Sequence, residues 1–266
     1  MKKTPVQTLV FTGLMVAIGI ILSQLVSITL PNPSSPIIKF GIGYLPLMIV
    51  SIIYGPVFGF FAAVSQDLLG FFLIGGPQGQ YFHLGFTLNA VLYGIVPSLF
   101  FHFRRKLTNH WFYIFNFALA LLFFLIVLSY LFNIDLVHSS TLDTTQKYIL
   151  ASVSLFATVV LILFNFLMKK QKKYEFNPHK ILFVVMLLYM LVSLILTPIW
   201  LFTMMNPDIA IWHLDAEALV AYVIFLLPLR IVKMPIEVIA YVLLLTPLLN
   251  LVKKLVEHRE FEEIDS

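Results

Sequence analysis

Three charged residues lie at helical spacing in an otherwise apolar stretch near the carboxyl end of the chain. Arg230, Lys233 and Glu237 stand three and four residues apart, so a helix places them on one face. Arginine and lysine side chains in an apolar setting attract an anion, in particular a carboxylate. The alternative is an internal ion-pair network among these three residues and Asp67.

Asp67 follows Ser65 and Gln66 in a second apolar stretch. A carboxylate in such a setting is costly unless it has a partner or lies in a cavity. Three roles remain open for it, namely a structural ion pair or hydrogen bond, direct contact with a ligand, and proton relay. We interpret Asp67, like Glu237, as a structural polar residue.

A glycine-rich segment leads into a stretch of aromatic and polar residues. Tyr81 and Phe86 offer rings that can stack on a flat heteroaromatic ligand, and Asn89 offers an amide for the polar edge of that ligand. His83 has no second histidine at metal-ligand spacing in the sequence, so we predict no metal site.

Small residues recur along the first apolar stretch. Gly13 and Ala17 are four residues apart and therefore share a helix face. Small side chains allow another helix to approach closely. That helix belongs either to the same protein or to a docking partner, and the spacing alone does not decide between them.

Pro31, Pro33 and Pro36 lie in the segment that follows, which ends at Lys39. Prolines at this density stiffen an extended loop. The loop is interpreted either as a lid over a site or as a plain connector.

The sequence carries no catalytic constellation. With zero cysteines, disulfides, cysteine-ligated metal sites and a cysteine nucleophile are excluded. The sequence also has no nucleotide-binding loop and no pair of histidines at zinc-binding spacing. We therefore predict no catalytic residues, no cofactor and no ATPase of its own.

The composition identifies the elements that must position these residues. Hydrophobic residues make up 60% of the 266 and charged residues 11%, whereas soluble domains are nearer 45–50% and 25%. The mean hydropathy is +0.97. These values exclude a soluble globular domain, a disordered chain and a nucleic-acid binder, and they predict an all-α, polytopic membrane bundle.

A membrane-spanning helix needs about 20 mostly apolar residues, and we predict about eight spans. The second is the shortest, and the last has room for a break at Pro228 or Pro235. The spans cover residues 6–29, 38–54, 56–74, 83–103, 111–132, 147–168, 180–204 and 219–252.

The distribution of basic residues sets the orientation. With both termini inside, thirteen of the 17 basic residues face the cytoplasm. They are Lys2, Lys3, Arg104, Arg105, Lys106, Lys169, Lys170, Lys172, Lys173, Lys180, Lys253, Lys254 and Arg259. The basic excess is thus a topology signal, and residues 256–266 form an acidic cytoplasmic tail.

Five strings together resemble one family, the substrate-binding S components of energy-coupling factor (ECF) transporters, and within it the folate group. The Trp200 segment also resembles the fifth helix of that group. The strings are FGIGYLPL at 40–47, YGPVFG at 54–59, SQDLLG at 65–70, YFHLGFTLNA at 81–90 and PLRIVKMPIE at 228–237.

The resemblance implies a core of six helices in the bacterial plasma membrane. Core helices 1–4 then lie in residues 1–106 and core helices 5–6 in 176–255, with an inserted pair of helices in 107–175. S components capture a vitamin from outside and dock on a membrane T component joined to two ABC-type ATPases. Small residues on the first helix serve that docking, a role that falls on Gly13 and Ala17.

The resemblance also implies a ligand pocket, which we assign to nine residues. They are Gln24, Lys39, Tyr81, Phe86, Asn89, Thr197, Trp200, Arg230 and Lys233. Gln24 stands where the folate group has arginine, His83 replaces a proline, and Thr197 with Pro198 replaces Asn-Thr. We therefore expect folate or a related small organic ligand. The alternatives are an intramembrane lipid-handling enzyme and a proton-coupled secondary transporter.

Overall fold

The computed structural model describes residues 5–24, 28–30, 38–74, 82–103, 109–132, 143–168, 176–206 and 216–262. Nine α-helices lie in these ranges, two of them continued by wider π-helical turns. The helices are α1 (Pro5–Gln24), α2 (Leu45–Tyr54), α3 (Pro56–Ile74), α4 (Leu84–Ser98), α5 (Asn109–Phe132), α6 (Thr144–Met168), α7 (Pro178–Leu188), α8 (Thr197–Met205) and α9 (Ala216–Glu262). The π-helical segments are Leu99–Phe103 and Tyr189–Leu196.

The described helices confirm a polytopic helical bundle. Seven helical stretches are long and apolar enough to cross a membrane, and α2 is a shorter apolar helix. The stretch Pro178–Met204 combines α7, its π-helical continuation and α8. The eight predicted spans therefore correspond to seven long helical stretches and one short helix.

The second predicted span differs from the structure at its start. Residues Ile38–Phe40 form a strand that pairs antiparallel with Ile28–Leu30, in the register Thr29 to Lys39. The backbone N–H and C=O groups of residues 38–40 are therefore paired in this two-stranded ribbon and not in a helix, as the predicted span required. The helix begins only at Leu45, after the two glycines of residues 41–44.

Helix α2 is central because it is buried on every side. Its ten residues span about 15 Å, half of a bilayer core of about 30 Å. Leu47 and Val50 pack with α1, α3 and α4, whereas Met48 and Ile52 belong to the larger cluster that includes residues of α5, α6, α7 and α9. The short helix thus joins the two halves of the bundle and fixes the segment that precedes it.

Glycines set two geometric features beside α2. Gly55 has φ +97° and ends α2, and Pro56 then begins α3. Further along, a Cβ on Gly59 or Gly94 would overlap with the backbone carbonyl of the other. Helices α3 and α4 therefore cross at backbone contact, as expected for small residues in membrane helices.

Helix α9 runs without a break through Pro228, Pro235 and Pro247. The sequence left room for a break in the outer part of this span. Membrane helices tolerate proline because neighbouring groups satisfy the carbonyls that proline leaves free. The unbroken helix keeps the charged residues between the first two prolines in a fixed relation.

The helices of 107–175 are tied to the rest of the bundle by buried polar groups. Asn116 Nδ2 donates to the carbonyl of His179 at 2.9 Å and to Asn165 Oδ1 at 3.2 Å. His179 Nδ1 lies 2.9 Å from the same oxygen, and Asn165 Nδ2 donates to the carbonyl of Tyr113 at 3.1 Å. These contacts join α5, α6 and the start of α7.

An apolar groove of about 580 Å³ lies between α6 and α9. Aliphatic side chains and one aromatic ring line it, among them Val160, Ile236 and Leu243. Ile236 and Leu243 are exposed in the protein alone, at 56% and 52%. The residues that line the groove carry no polar side chain, so it does not offer the contacts that a polar ligand needs.

The polar contacts of the α5–α6 pair generate a stability prediction. Asn165→Ala removes the buried oxygen that lies within hydrogen-bond distance of Asn116 Nδ2 and His179 Nδ1, and such a loss costs about 1–3 kcal/mol. We expect a lower Tm for the variant in detergent. The control is Ser129→Ala, because the hydroxyl of Ser129 is exposed and bonds only to its own helix at Ile126. An unchanged Tm for Asn165→Ala would contradict a structural role for the contact.

Candidate functional site

The predicted charged face of α9 is present and partly paired. Lys233 Nζ lies 3.2 Å from Glu237 Oε1, and their side chains are 17% and 14% exposed. The same carboxylate oxygen accepts a hydrogen bond from Gly41 N at 3.2 Å. Glu237 therefore neutralises Lys233 and also holds the segment that follows the ribbon.

Arg230 is the most buried member of this face, at 7% exposure. Its Nη1 donates to Ser193 Oγ at 3.3 Å, and its backbone carbonyl accepts from the Tyr189 hydroxyl at 3.2 Å. Its Nε has no hydrogen-bond partner among the described residues. A buried guanidinium with an unused donor and no carboxylate within salt-bridge distance in the described part is suited to bind an anion.

The π-helical segment Tyr189–Leu196 brings these partners to Arg230. Its wider turn is visible where the backbone N–H of Thr197 donates to the carbonyl of Val192, five residues earlier. The Thr197 hydroxyl donates to the same carbonyl at 2.7 Å. Such segments often occur at functional sites. Tyr189 and Ser193 contact Arg230, whereas Thr197 at the other end contacts α4, so one segment serves both parts of the site.

Tyrosines form a buried stack between α9 and α4. The rings of Tyr44 and Tyr93 lie 4.4 Å apart at 13°, and those of Tyr93 and Tyr241 lie 6.5 Å apart at 25°. The Tyr241 hydroxyl donates to the carbonyl of Gly41 and accepts from Tyr44 N, each at 3.3 Å. Tyr93 and Tyr241 were not predicted as site residues from the sequence, although a tyrosine in an apolar span needs a partner for its hydroxyl.

Three helices hold the stem of the ribbon, residues 41–44. Glu237 and Tyr241 bind it from α9, and Gln66 Nε2 of α3 donates to the carbonyl of Gly43 at 3.0 Å. On the α1 side, a Cβ on Gly43 would lie 2.6 Å from Ser23 Cβ. Glycine is therefore required at position 43, and the stem couples the ribbon to α1, α3 and α9.

The predicted polar residues of α4 and α8 meet in a second group. Trp200 Nε1 donates to Asn89 Oδ1 at 3.1 Å, and Asn89 Nδ2 donates to Thr197 Oγ1 at 3.2 Å. Each amide atom keeps one further hydrogen-bonding position. Asn89 thus orients the indole of Trp200 and retains the capacity to contact a ligand.

His83 caps α4 and joins it to α8. Gly85 N donates to His83 Nδ1 at 3.1 Å, so Nδ1 is the unprotonated nitrogen of a neutral ring. Nε2 lies 3.2 Å from Thr203 Oγ1, and the Phe86 ring lies 5.9 Å from the imidazole. Burial lowers the pKa of His83, which favours this neutral form. The arrangement gives His83 a capping role.

Asp67 is hydrogen-bonded to the Thr87 hydroxyl at 2.6 Å. Among the described residues, the salt bridge within 4.0 Å is that of Lys233 with Glu237, so Asp67 is not part of the α9 pair. The proposed four-residue ion-pair network is therefore reduced to one pair. No group of three or more potential metal ligands occurs in the described part of the chain.

Five further predicted positions lie outside these two groups of contacts. Gly13 and Ala17 lie on an exposed face of α1, and a Cβ on Gly13 would meet nothing within 4 Å. Tyr81 and the side chains of Gln24 and Lys39 lie outside the described residues. The structure thus brings together two groups of predicted residues, one around Arg230 and one around Asn89.

Comparisons with known proteins identify the family of the chain. A model of the family described as ECF transporter, substrate-specific component, matches residues 7–168, a range that includes α5 and α6. The chain is also 29% identical over 105 residues to the folate transporter FolT of Clostridium novyi (strain NT). That alignment covers 40% of this chain and 55% of the relative, so the chain spans about half the length of the curated relative it matches.

The contact between Trp200 and Gly85 generates a prediction for the second group. A Cβ on Gly85 would overlap with the Trp200 ring, so Gly85→Ala must displace the indole. We expect a lower Tm and a shifted tryptophan emission in a background where Trp111 and Trp212 are phenylalanine. Gly13→Ala is the matched control because its Cβ enters open space. Equal spectra for both variants would contradict the contact.

Proposed function

Because this chain belongs to the family of substrate-specific components of ECF transporters, we propose that it captures folate or a related small organic acid from outside the cell. It is a multi-pass protein of the bacterial cell membrane. The observation that carries the proposal is the buried guanidinium of Arg230, whose Nε has no partner in the described part. The relative named as a folate transporter supports a ligand of this class.

The carboxylate of the ligand binds at Arg230, with Lys233 beside it. The aromatic part of the ligand lies against Trp200 and Phe86, and the remaining hydrogen-bonding positions of Asn89 and Thr197 contact its polar edge. Ligand pockets typically combine such aromatic surfaces with a few placed polar groups. Gln24, Lys39 and Tyr81 complete the proposed pocket.

The loaded protein then docks on a membrane T component that is joined to two ABC-type ATPases. The face of α1 with Gly13 and Ala17 supports this step because it points away from the described helices. Small residues there permit close approach of a partner helix. The family membership does not favour the enzyme and secondary-transporter alternatives.

Titration of the purified chain with folate tests the proposed capture. We expect saturable binding by the protein alone, without a T component, ATP or an ATPase. Tryptophan quenching reports it, since Trp200 lies in the proposed pocket. A protein that fails to bind folate and other organic acids of similar size in the same assay would overturn the proposal.

Replacement of Arg230 gives a second prediction. Arg230→Ala should weaken folate binding by more than about tenfold, because a hydrogen bond to a charged group contributes about 1.5–3 kcal/mol. Isothermal titration of the purified variant measures the change. Lys147→Ala removes the same charge from the start of α6 and should leave the affinity unchanged. Equal affinities for wild type and Arg230→Ala would exclude Arg230 from the pocket.

A bulky residue on the docking face separates capture from transport. Ala17→Trp should leave folate affinity unchanged and abolish uptake by cells that express the complete transporter. The control Leu155→Trp adds an equal bulk to an exposed position of α6, where the wild-type side chain is 49% exposed, and should preserve uptake. Loss of folate binding in Ala17→Trp would mean that this face supports the pocket and not the docking.

A further inference from the structure

Glu237 lies in the proposed anion site, although its side chain has the same sign of charge as the ligand that the site is proposed to bind. Three charged side chains of the site stand on one face of α9, and their formal charges sum to one positive charge. Lys233 is compensated by Glu237 at 3.2 Å, whereas Arg230 has a neutral side-chain partner, Ser193, at 3.3 Å. The charge available to a ligand is therefore centred on Arg230.

The carboxylate of Glu237 is fixed by contacts with α9 and with the stem of the ribbon. Its Oε1 faces two donors, the Lys233 ammonium and the backbone N–H of Gly41, each at 3.2 Å. Two donors on one oxygen favour the charged form of a carboxylate. The Gly41 contact anchors this oxygen to the stem of the ribbon, which Gln66 and Tyr241 hold as well.

A second carboxylate on the ligand has to compete with Glu237 for Lys233. If it takes Lys233, it leaves Glu237 buried without its cation, and the breaking of a buried pair is strongly unfavourable. A first carboxylate at Arg230 is affected much less, because seven residues of helix separate Arg230 from Glu237 by about 10 Å. The two cations of the site are thus unequal.

We propose that Glu237 is a specificity-determining residue that limits the site to one strongly bound carboxylate, centred on Arg230. This inference rests on the proposed function, since it concerns the same ligand site. Glu237 does not contact the ligand in this account. It acts through Lys233, and it is therefore a positioning residue with an electrostatic effect on ligand choice.

The test compares the binding of folate, which carries two carboxylates, with that of pteroate, which carries one, by the purified chain. Wild type should bind the two within about fivefold, because the second carboxylate gains little at a lysine that is already paired. Glu237→Gln should raise folate affinity at least about tenfold and change pteroate affinity less than about threefold. Glutamine retains an acceptor for Gly41 N, so the stem keeps its anchor.

Two further variants separate the effect of the Glu237 charge from the effect of its hydrogen bond with Gly41. Glu237→Ala also removes the charge but loses the acceptor for Gly41, so it should raise folate affinity less than Glu237→Gln does. Asp143→Asn is the charge-matched control, since Asp143 is exposed at the start of α6 and caps it through Thr144 N at 2.7 Å. It should leave both affinities unchanged.

The outcomes distinguish the inference from the proposed function. An unchanged ratio of folate to pteroate affinity in Glu237→Gln, or a wild-type preference for folate above about tenfold, overturns the role of Glu237 while capture stands. The ratio of folate to pteroate affinity in the wild type needs no variant. It therefore tests the role of Glu237 even if Glu237→Gln does not fold. Absence of binding of both compounds by wild type overturns the proposed function and, with it, this inference.

Discussion

Charges buried within the membrane-spanning part of α9 are the constraint on which the arrangement of the site depends. An ionised side chain in this setting is costly unless other groups compensate it. Lys233 is compensated by Glu237, and Glu237 in turn by Gly41 N. Arg230 is compensated only in part, by Ser193. The remaining guanidinium donor explains why the site is suited to an anion.

Several structural features follow from this need for compensation. The π-helical turn of Tyr189–Leu196 supplies Tyr189 and Ser193 to Arg230, and a regular α-helix would rotate them differently. Helix α2 is short and begins only at Leu45, so residues 41–44 are available to form the stem of the ribbon. The stem then offers its backbone N–H to Glu237. The ribbon and the charged face of α9 are therefore joined through this contact.

The sequence predicted the parts of this arrangement that depend on spacing and on residue type. Arg230, Lys233 and Glu237 share a face because helical periodicity requires it, and Gly55 with Pro56 mark a helix junction. Only the family resemblance placed Asn89, Thr197 and Trp200 in one pocket. Spacing could not do so, because 108 and 111 residues separate Asn89 from its two partners along the chain.

Other features could not be predicted because they depend on tertiary contacts. The strand at 38–40 exists because residues 28–30 pair with it. Helix α9 continues through its prolines because the surrounding bundle tolerates them. The stack of Tyr44, Tyr93 and Tyr241 depends on three separate helices or loops meeting at one point. The side-chain network of Asn116, Asn165 and His179 likewise joins three helices, and periodicity alone carries no information about it.

Native mass spectrometry of the chain, purified in mild detergent from cells grown in rich medium, tests whether the site at Arg230 binds an anionic ligand. We expect a co-purified small molecule that carries a carboxylate, with a mass in the range of folates, and its loss from Arg230→Ala. A co-purified neutral or cationic compound would contradict the claim that the buried charge of α9 serves to bind an anion. So would an acidic ligand that Arg230→Ala retains at full occupancy.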